Sequence, residues 1–353
     1  MTAQHVDANT LTALVADATA APSLHNAQPW KFRYLTADGV LRLYADLSRA
    51  LPRTDPDARG LHLGCGAALF NLRVAACAAG WAPVVRLLPD PADPALLVEV
   101  TLDATDPPDP ALARLYPAVP RRHSSRHPFS ERSIPADLRE RLCEAADAEG
   151  AQLVFPGTWH VHELLELVQD AEGREAVDPA LRAETARWVR SGPAGASPAS
   201  DGIPVDALGP GRYGPATPVR DFAAGHTVPG RGWAVFERNP HLALLGTGRD
   251  GPADWLRAGQ ALERVLLTAT VGGLVASMVS QTLEWPELRR VTRDPGSGMA
   301  HVQMVIRLGY GPLGHPSPRR PVTEVLDVVP SHRQEVAYEG VRGDDRPAGD
   351  GGP

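Results

Sequence analysis

The chain has little cysteine, a single lysine and few aromatics. Its 353 residues include three cysteines, Cys65, Cys77 and Cys143, with no CxxC or zinc spacing among them. Neither a disulfide framework nor a cysteine metal site is expected, and with no signal peptide ahead of the first helix the chain reads as a cytoplasmic protein. Lys31 is the only lysine, so the basic residues are arginines by bias and their frequency alone is uninformative. A formal net charge of -7 excludes the strongly basic surface that general binding to nucleic acid or anionic membranes requires. His160 and His162 lack a set of further ligands at metal spacing, and no metal is expected. Residues 265–283 carry no formal charge and reach the length of a membrane span. Thr268, Thr270, Ser277, Ser280 and Gln281 make the run too polar for lipid, so a buried central helix ending within it is expected instead.

What is present is a repeat. Gly66-Ala67-Ala68-Leu69, followed by Ala76 and Gly80, matches Gly259-Gln260-Ala261-Leu262, followed by Ala269 and Gly273, at a constant offset of 193. Leu69, Leu72 and Ala76 in one copy, and Leu262, Val265 and Ala269 in the other, have the spacing of a core-facing helix. Strand-like runs flank each helix, 40–45 and 96–102 in the first copy, 242–247 and 301–308 in the second. Each half is expected to combine strands and helices in one sheet, the outcome of a duplication. Further helices are expected over 11–20 and 135–149, the second started by Pro135.

The halves then diverge. Ala21-Pro22-Ser23-Leu24-His25-Asn26-Ala27-Gln28-Pro29-Trp30-Lys31-Phe32 follows the opening helix of the first half, whereas the second passes from Gly150 straight into Ala151-Gln152-Leu153. Arg121-Arg122-His123-Ser124-Ser125-Arg126-His127-Pro128-Phe129 precedes the opening helix of the second half alone. If the halves pack about a pseudo-twofold axis, insert and basic cluster meet once and make one site. Residues 192–232 are rich in Gly and Pro and keep no apolar period, which reads as a long lid loop with Tyr213, Phe222 and Trp233 to dock it. The expected division is 1–118, 119–326 with the lid at about 191–232, and a disordered tail over 327–353.

Pro22-Ser23-Leu24-His25-Asn26-Ala27-Gln28-Pro29-Trp30 resembles the flavin-binding motif of the nitroreductase superfamily. Arg122-His123-Ser124-Ser125-Arg126 with Phe129 resembles that superfamily's basic opening, displaced here to mid-chain, and Leu308-Gly309-Tyr310-Gly311 with Pro318-Arg319-Arg320-Pro321 resembles its closing strand and phosphate-binding end. The tandem halves and the run from Asp254-Trp255-Leu256 through Gln281 to Arg289 are similar to the Acg subfamily of actinobacterial proteins. The resemblance covers nearly residues 1–326. It implies an α+β nitroreductase-like fold, a tandem pseudodimer of two mixed sheets flanked by helices, retaining one FMN between its halves.

An FMN phosphate carries about -1.5 to -2 charges and calls for fixed cations. Arginine's planar fork meets that need, so Arg122, Arg126, Arg319 and Arg320 are assigned there, against the alternative of surface ion pairs. Ser124 would donate to the phosphate or the ring edge, or cap a helix. Ser23, Asn26 and Gln28 would serve the ring's pyrimidine edge, or satisfy their own turn. His25 contacts ring or phosphate, or is a buried structural histidine, while Trp30 and Phe32 read as core. Ser277, Met278, Ser280 and Gln281 follow the second central helix, where the superfamily places backbone amides near flavin N5 and O4. No acid, base or nucleophile is assigned, because hydride transfer resides in the cofactor. The expected function is NAD(P)H-dependent reduction of a small acceptor by a monomer or homodimer. The alternatives are FMN storage behind the lid with little turnover, and a chain that has lost its cofactor.

Overall fold

The computed structural model describes residues 6–190, 199–213, 219–223 and 228–330. Helix α1 (Ala8–Thr19) starts at Asp7, whose carboxylate accepts from the amides of Asn9 and Thr10 at 2.9 and 3.0 Å. Strands β1 (Trp30–Leu35) and β2 (Val40–Ala45) follow, then the central helix α2 (Arg59–Ala78), strands β3 (Ala82–Leu87) and β4 (Leu96–Asp103), and the short α3 (Pro110–Ala113). In the second half α4 (Ala136–Asp147) leads into β5 (Gln152–Val154). A large insertion comes next: α5 (Thr158–Val177), α6 (Pro179–Arg187), β6 (Val189–Arg190), β7 (Ile203–Pro204), β8 (Gly211–Tyr213) and β9 (Trp233–Val235). The plan then resumes with β10 (His241–Thr247), the central helix α7 (Pro252–Val271), β11 (Val275–Val279), α8 (Pro286–Val291) and β12 (His301–Gly309), followed by α9 (Val322–Val325) and β13 (Leu326–Val329).

The two sheets share one plan. The first runs β13-β1-β2-β4-β3 and the second β11-β12-β10-β5, so β1-β2-β4-β3 corresponds to β5-β10-β12-β11 strand for strand. These shared pairings are antiparallel throughout. Only the first sheet is mixed, because β13 lies parallel to β1 with Phe32 beside Leu326 and Leu35 beside Val329. The tail expected to be disordered from 327 is therefore strand as far as 329, added to the sheet of the opposite half; 331–353 lie outside the described residues. The lid, expected to be structureless, contributes β7 and β8, each paired in parallel with a strand at its margin, β6 and β9. Its stretches 191–198, 214–218 and 224–227 lie outside the described residues.

Helices α2 and α7 cross at the centre on their repeated glycines. A Cβ on Gly66 would sit 2.3 Å from the Leu256 carbonyl oxygen and 3.0 Å from Gly259 Cα. One on Gly259 would sit 2.2 Å from the Leu63 carbonyl oxygen and 2.9 Å from Gly66 Cα. Leu63 and Leu256 are themselves related by the repeat offset, so each contact has its counterpart under exchange of the halves, as an isologous interface requires. By length and composition α2 could span a membrane, but 83% of its most apolar stretch is buried inside the protein. Helix α7 ends at Val271, inside the uncharged run. One core gathers Trp30, Phe32, Leu69 and Leu97 under the first sheet, and another Leu142, Val265 and Ile306 under the second.

Candidate functional site

The polar insert between α1 and β1 folds as a tight turn of uncommon backbone. His25, Asn26 and Gln28 have φ of 52, 55 and 53°, the left-handed region that costs a non-glycine residue roughly 1–2 kcal/mol. Hydrogen bonds hold it there. The Gln28 amide donates to Ser23 Oγ at 2.9 Å, and Asn26 Nδ2 donates to the carbonyls of Gly202 and Pro318 at 2.9 and 3.0 Å. Gln28 Nε2 donates to the Ser200 carbonyl at 2.8 Å, while its Oε1 accepts from the Arg320 amide at 2.8 Å. Asn26 and Gln28, expected on the pyrimidine edge, thus tie the turn to the lid and the C-terminal segment and do not line the cleft described below.

The arginine cluster divides in the same way. Arg319 donates to the carbonyls of Thr19, Ala20 and Ala21 at 2.7, 3.0 and 3.1 Å, closing the C-terminal end of α1, and to Asn26 Oδ1 at 3.0 Å. Arg122 reaches the same Ala20 carbonyl at 3.0 Å, and its Nε lies 3.1 Å from Glu263 Oε1 on α7, both residues being buried. Arg122 thus reaches the residue just before the insert, and Arg319 reaches the insert itself at Ala21 and Asn26. Arg320 is spent on Asp46, 3.4 Å away. Burial, then Arg122 and Arg319, push His123 down to about 4.

Between the halves lies a cleft of about 890 Å³, counted out to the open solvent at its mouth. The turn contributes Ser23 and His25, the basic segment Ser124 and Arg126, and β11 with the residues after it Ser277, Met278, Ser280 and Gln281. A backbone bridge from Ser124 to Ala276, with the Ser125 amide donating to the Ala276 carbonyl at 2.8 Å, seats the basic segment along β11. Behind Ser124 and Met278 a smaller recess of about 300 Å³ opens onto Arg121, Arg122 and His123.

The chemistry of the lining is incomplete from within. Ser277 Oγ, both polar atoms of the Gln281 side chain and His25 Nδ1 are buried without a hydrogen-bond partner among the described residues, a state that protein interiors avoid unless a ligand or water completes it. Arg126 donates to the Ala207 carbonyl at 2.8 Å and lies 4.9 Å from the centroid of Phe222, with no carboxylate partner among the described residues. Burial, and then the like charge of Arg220, lower Arg126 to about 10. Ser280 Oγ is satisfied by Glu284 at 2.9 Å.

Arg220, Arg59 and Glu284 also line the cleft and were not anticipated, and Phe222, expected only as an aromatic that docks the lid, lines it too. Arg220 and Phe222 sit in the aperiodic lid, where only the aromatic gave a signal. Arg220 pairs with Glu175 and Glu284 at 3.1 and 2.5 Å, fixing the lid to α5 and to the turn after β11. Of the three lid aromatics only Phe222 docks: Tyr213 and Trp233 are 58% and 63% exposed and stack on one another. His160 is committed elsewhere, to Glu163 and the Thr292 carbonyl, each at 3.1 Å.

Two α+β halves that cross on paired glycines, with a cleft at their seam, define the class: an α+β protein built from two similarly organised halves. No family model matches the chain. It is 30% identical over 327 residues to a Mycobacterium tuberculosis protein provisionally named NAD(P)H nitroreductase, a match covering 91% of this chain and 92% of that one. It is likewise 30% identical over 331 residues to the M. tuberculosis protein Acg, which carries the same provisional name, covering 92% and 97%. The chain belongs to the nitroreductase family, in its Acg-like branch. Among solved structures it overlays a nitroreductase with bound FMN from Bacteroides fragilis at a TM-score of 0.35 and 18% identity, over 58% of this chain and 92% of that one. It overlays the FMN-dependent nitroreductase NfnB from Mycobacterium smegmatis, solved with NADPH, at 0.37 and 16%, over 60% and 97%. Family membership stands on the sequence relatives.

Proposed function

We propose that the cleft binds one FMN per chain and that the protein is an NAD(P)H-dependent oxidoreductase acting on a small acceptor. The observation that carries this reading is the set of buried groups in the lining that have no partner among the described residues, Ser277 Oγ, the Gln281 amide and His25 Nδ1, together with an arginine, Arg126, that has no acid among those residues. Both donors and acceptors are left open, which suits a heteroaromatic ring with carbonyl and N–H edges joined to an anionic chain. Ser277 and Gln281 would hold the ring edge, with Met278 and Ser280 shaping β11 beside it. Arg126, Ser23 and Ser124 would take the polar chain. Arg122 and Arg319 would give the recess behind Ser124 a positive potential at the phosphate end, with the neutral His123 ring on its wall, while Asn26, Gln28 and Arg320 hold the turn that presents Ser23 and His25. Leu63, Leu262 and Met304 supply apolar walls that exclude water. When bound, FMN supplies the capacity to take up hydride from a nicotinamide and pass it to the acceptor.

One observation favours a second reading, storage of FMN with little turnover: Arg220 and Phe222 of the lid lie on the cleft wall and are fixed there by Glu175, Glu284 and His25. Anaerobic mixing of the FMN-loaded chain with NADH or NADPH separates the two. Bleaching of the flavin absorbance within seconds is expected; absorbance that persists for hours contradicts the oxidoreductase and favours storage.

A further inference from the structure

The lid arginine does more than close an ion pair. Arg220 Nη1 lies 3.0 Å from His25 Nε2. A guanidinium has no acceptor, so Arg220 donates and Nε2 is the unprotonated nitrogen. The proton of a neutral ring must then be on Nδ1, the buried atom that has no partner among the described residues. Phe222 meets the imidazole edge-on at 5.3 Å, and the left-handed backbone at φ 52° fixes where the ring starts. Glu175 and Glu284 in turn hold Arg220. Burial, followed by the charges of Arg220 and Arg126, keeps His25 well below its ordinary pKa, so the ring stays neutral.

We infer that Arg220 is a positioning residue that locks His25 as the Nδ1–H tautomer, and that His25 thereby offers the cleft ligand an uncharged hydrogen-bond donor for a carbonyl oxygen or ring nitrogen. The identity of that ligand as FMN rests on the function proposed above. A donor without charge would strengthen its bond as negative charge grows on the acceptor atom, yet it carries no proton of suitable acidity to release.

The tautomer is testable without ligand. In the ¹⁵N-histidine-labelled chain at pH 7, long-range ¹H–¹⁵N correlations of His25 are expected to show protonated Nδ1 and bare Nε2; an Nε2–H or imidazolium pattern overturns the inference. Arg220→Met is expected to move the proton to Nε2, while Arg220→Lys, which can still donate, keeps it on Nδ1; an unchanged pattern in Arg220→Met overturns the role of Arg220. His25→Phe keeps an aromatic against Phe222 without a donor and is expected to weaken FMN binding roughly three- to tenfold. His25→Asn, which accepts left-handed backbone and can place an N–H near Nδ1, is expected to bind within about twofold of the parent. If His25→Phe does not fold, His25→Leu takes its place. Parent-like FMN affinity in either donor-free variant overturns the donor role. The Nδ1–H signature in a chain that takes up no FMN upholds the tautomer and overturns the flavin reading instead.

Discussion

Facing positions on the two central helices differ sharply in polarity. Under the repeat offset of 193, Asn71 is equivalent to Arg264 and Phe70 to Glu263. On the cleft side, fully buried Glu263 of α7 lies against Arg122, with the buried Asn71 of α2 close by. On the far side, Phe70 of α2 lies under Arg264, 6.0 Å from its ring centroid, and Arg264 turns outward to Glu149 at 2.8 Å. The backbone frame is shared while the polarity is reversed. A similar frame therefore supplies two seams, and a handful of side chains decide which seam buries an arginine against an acid. The two insertions follow the same division: turn and lid both gather at the polar seam.

The largest way to break the comparison is Glu263→Leu. It leaves the Arg122 guanidinium buried without its acid, at a cost of about 3–5 kcal/mol, whereas Phe70→Leu on the opposite seam should cost less than about 1.5 kcal/mol. Urea midpoints of the two variants measure the gap, and equal losses would refute the asymmetry. The frame itself is probed by Gly66→Ala and Gly259→Ala. Each added Cβ meets a backbone carbonyl that cannot move aside, so about 1–3 kcal/mol is lost in either case. Thermal unfolding should report matched losses; a single tolerant site would mean that the crossing is not symmetric. Arg126→Met should lower FMN affinity by about 10- to 100-fold, the worth of a charged hydrogen bond, while Arg264→Met on the far seam leaves titrated affinity unchanged.

The smallest effect is in pH. His123 has a folded pKa of about 4, below its usual value of 6.5. The folded chain therefore resists a proton that the unfolded chain accepts. The stability tied to the neutral ring is complete above pH 6.5 and declines as pH falls towards 4. His25 contributes in the same direction. Melting temperatures across that window should fall less steeply in His123→Gln than in the parent, and parallel slopes would contradict the assignment.

Much of this was legible in the sequence. The repeat offset located both central helices, and the glycines it aligned are the residues at the crossing. Runs 40–45, 96–102, 242–247 and 301–308 all became strands because their apolar patterns were long enough to carry a period. β13 was not legible: four residues carry no period, and its pairing with β1 lies almost three hundred positions away in the chain. Motif residues were legible as a group rather than by direction. Asn26 and Gln28 point into the framework because left-handed φ turns their side chains towards the lid and the 318–320 carbonyls and amides. Arg319 and Arg320 likewise satisfy backbone and acid partners that composition cannot reveal. Arg220 lay in a stretch without pattern, and only its geometry beside His25 marks it.

The central claim is that one chain, with its two halves and one polar seam, takes one flavin. Anaerobic titration of the purified, flavin-stripped chain with FMN, followed by fluorescence quenching and closed by mass measurement of the native complex, tests it most directly. A sharp equivalence point at one FMN per chain is the expected result; saturation at two, or no binding at all, would contradict it.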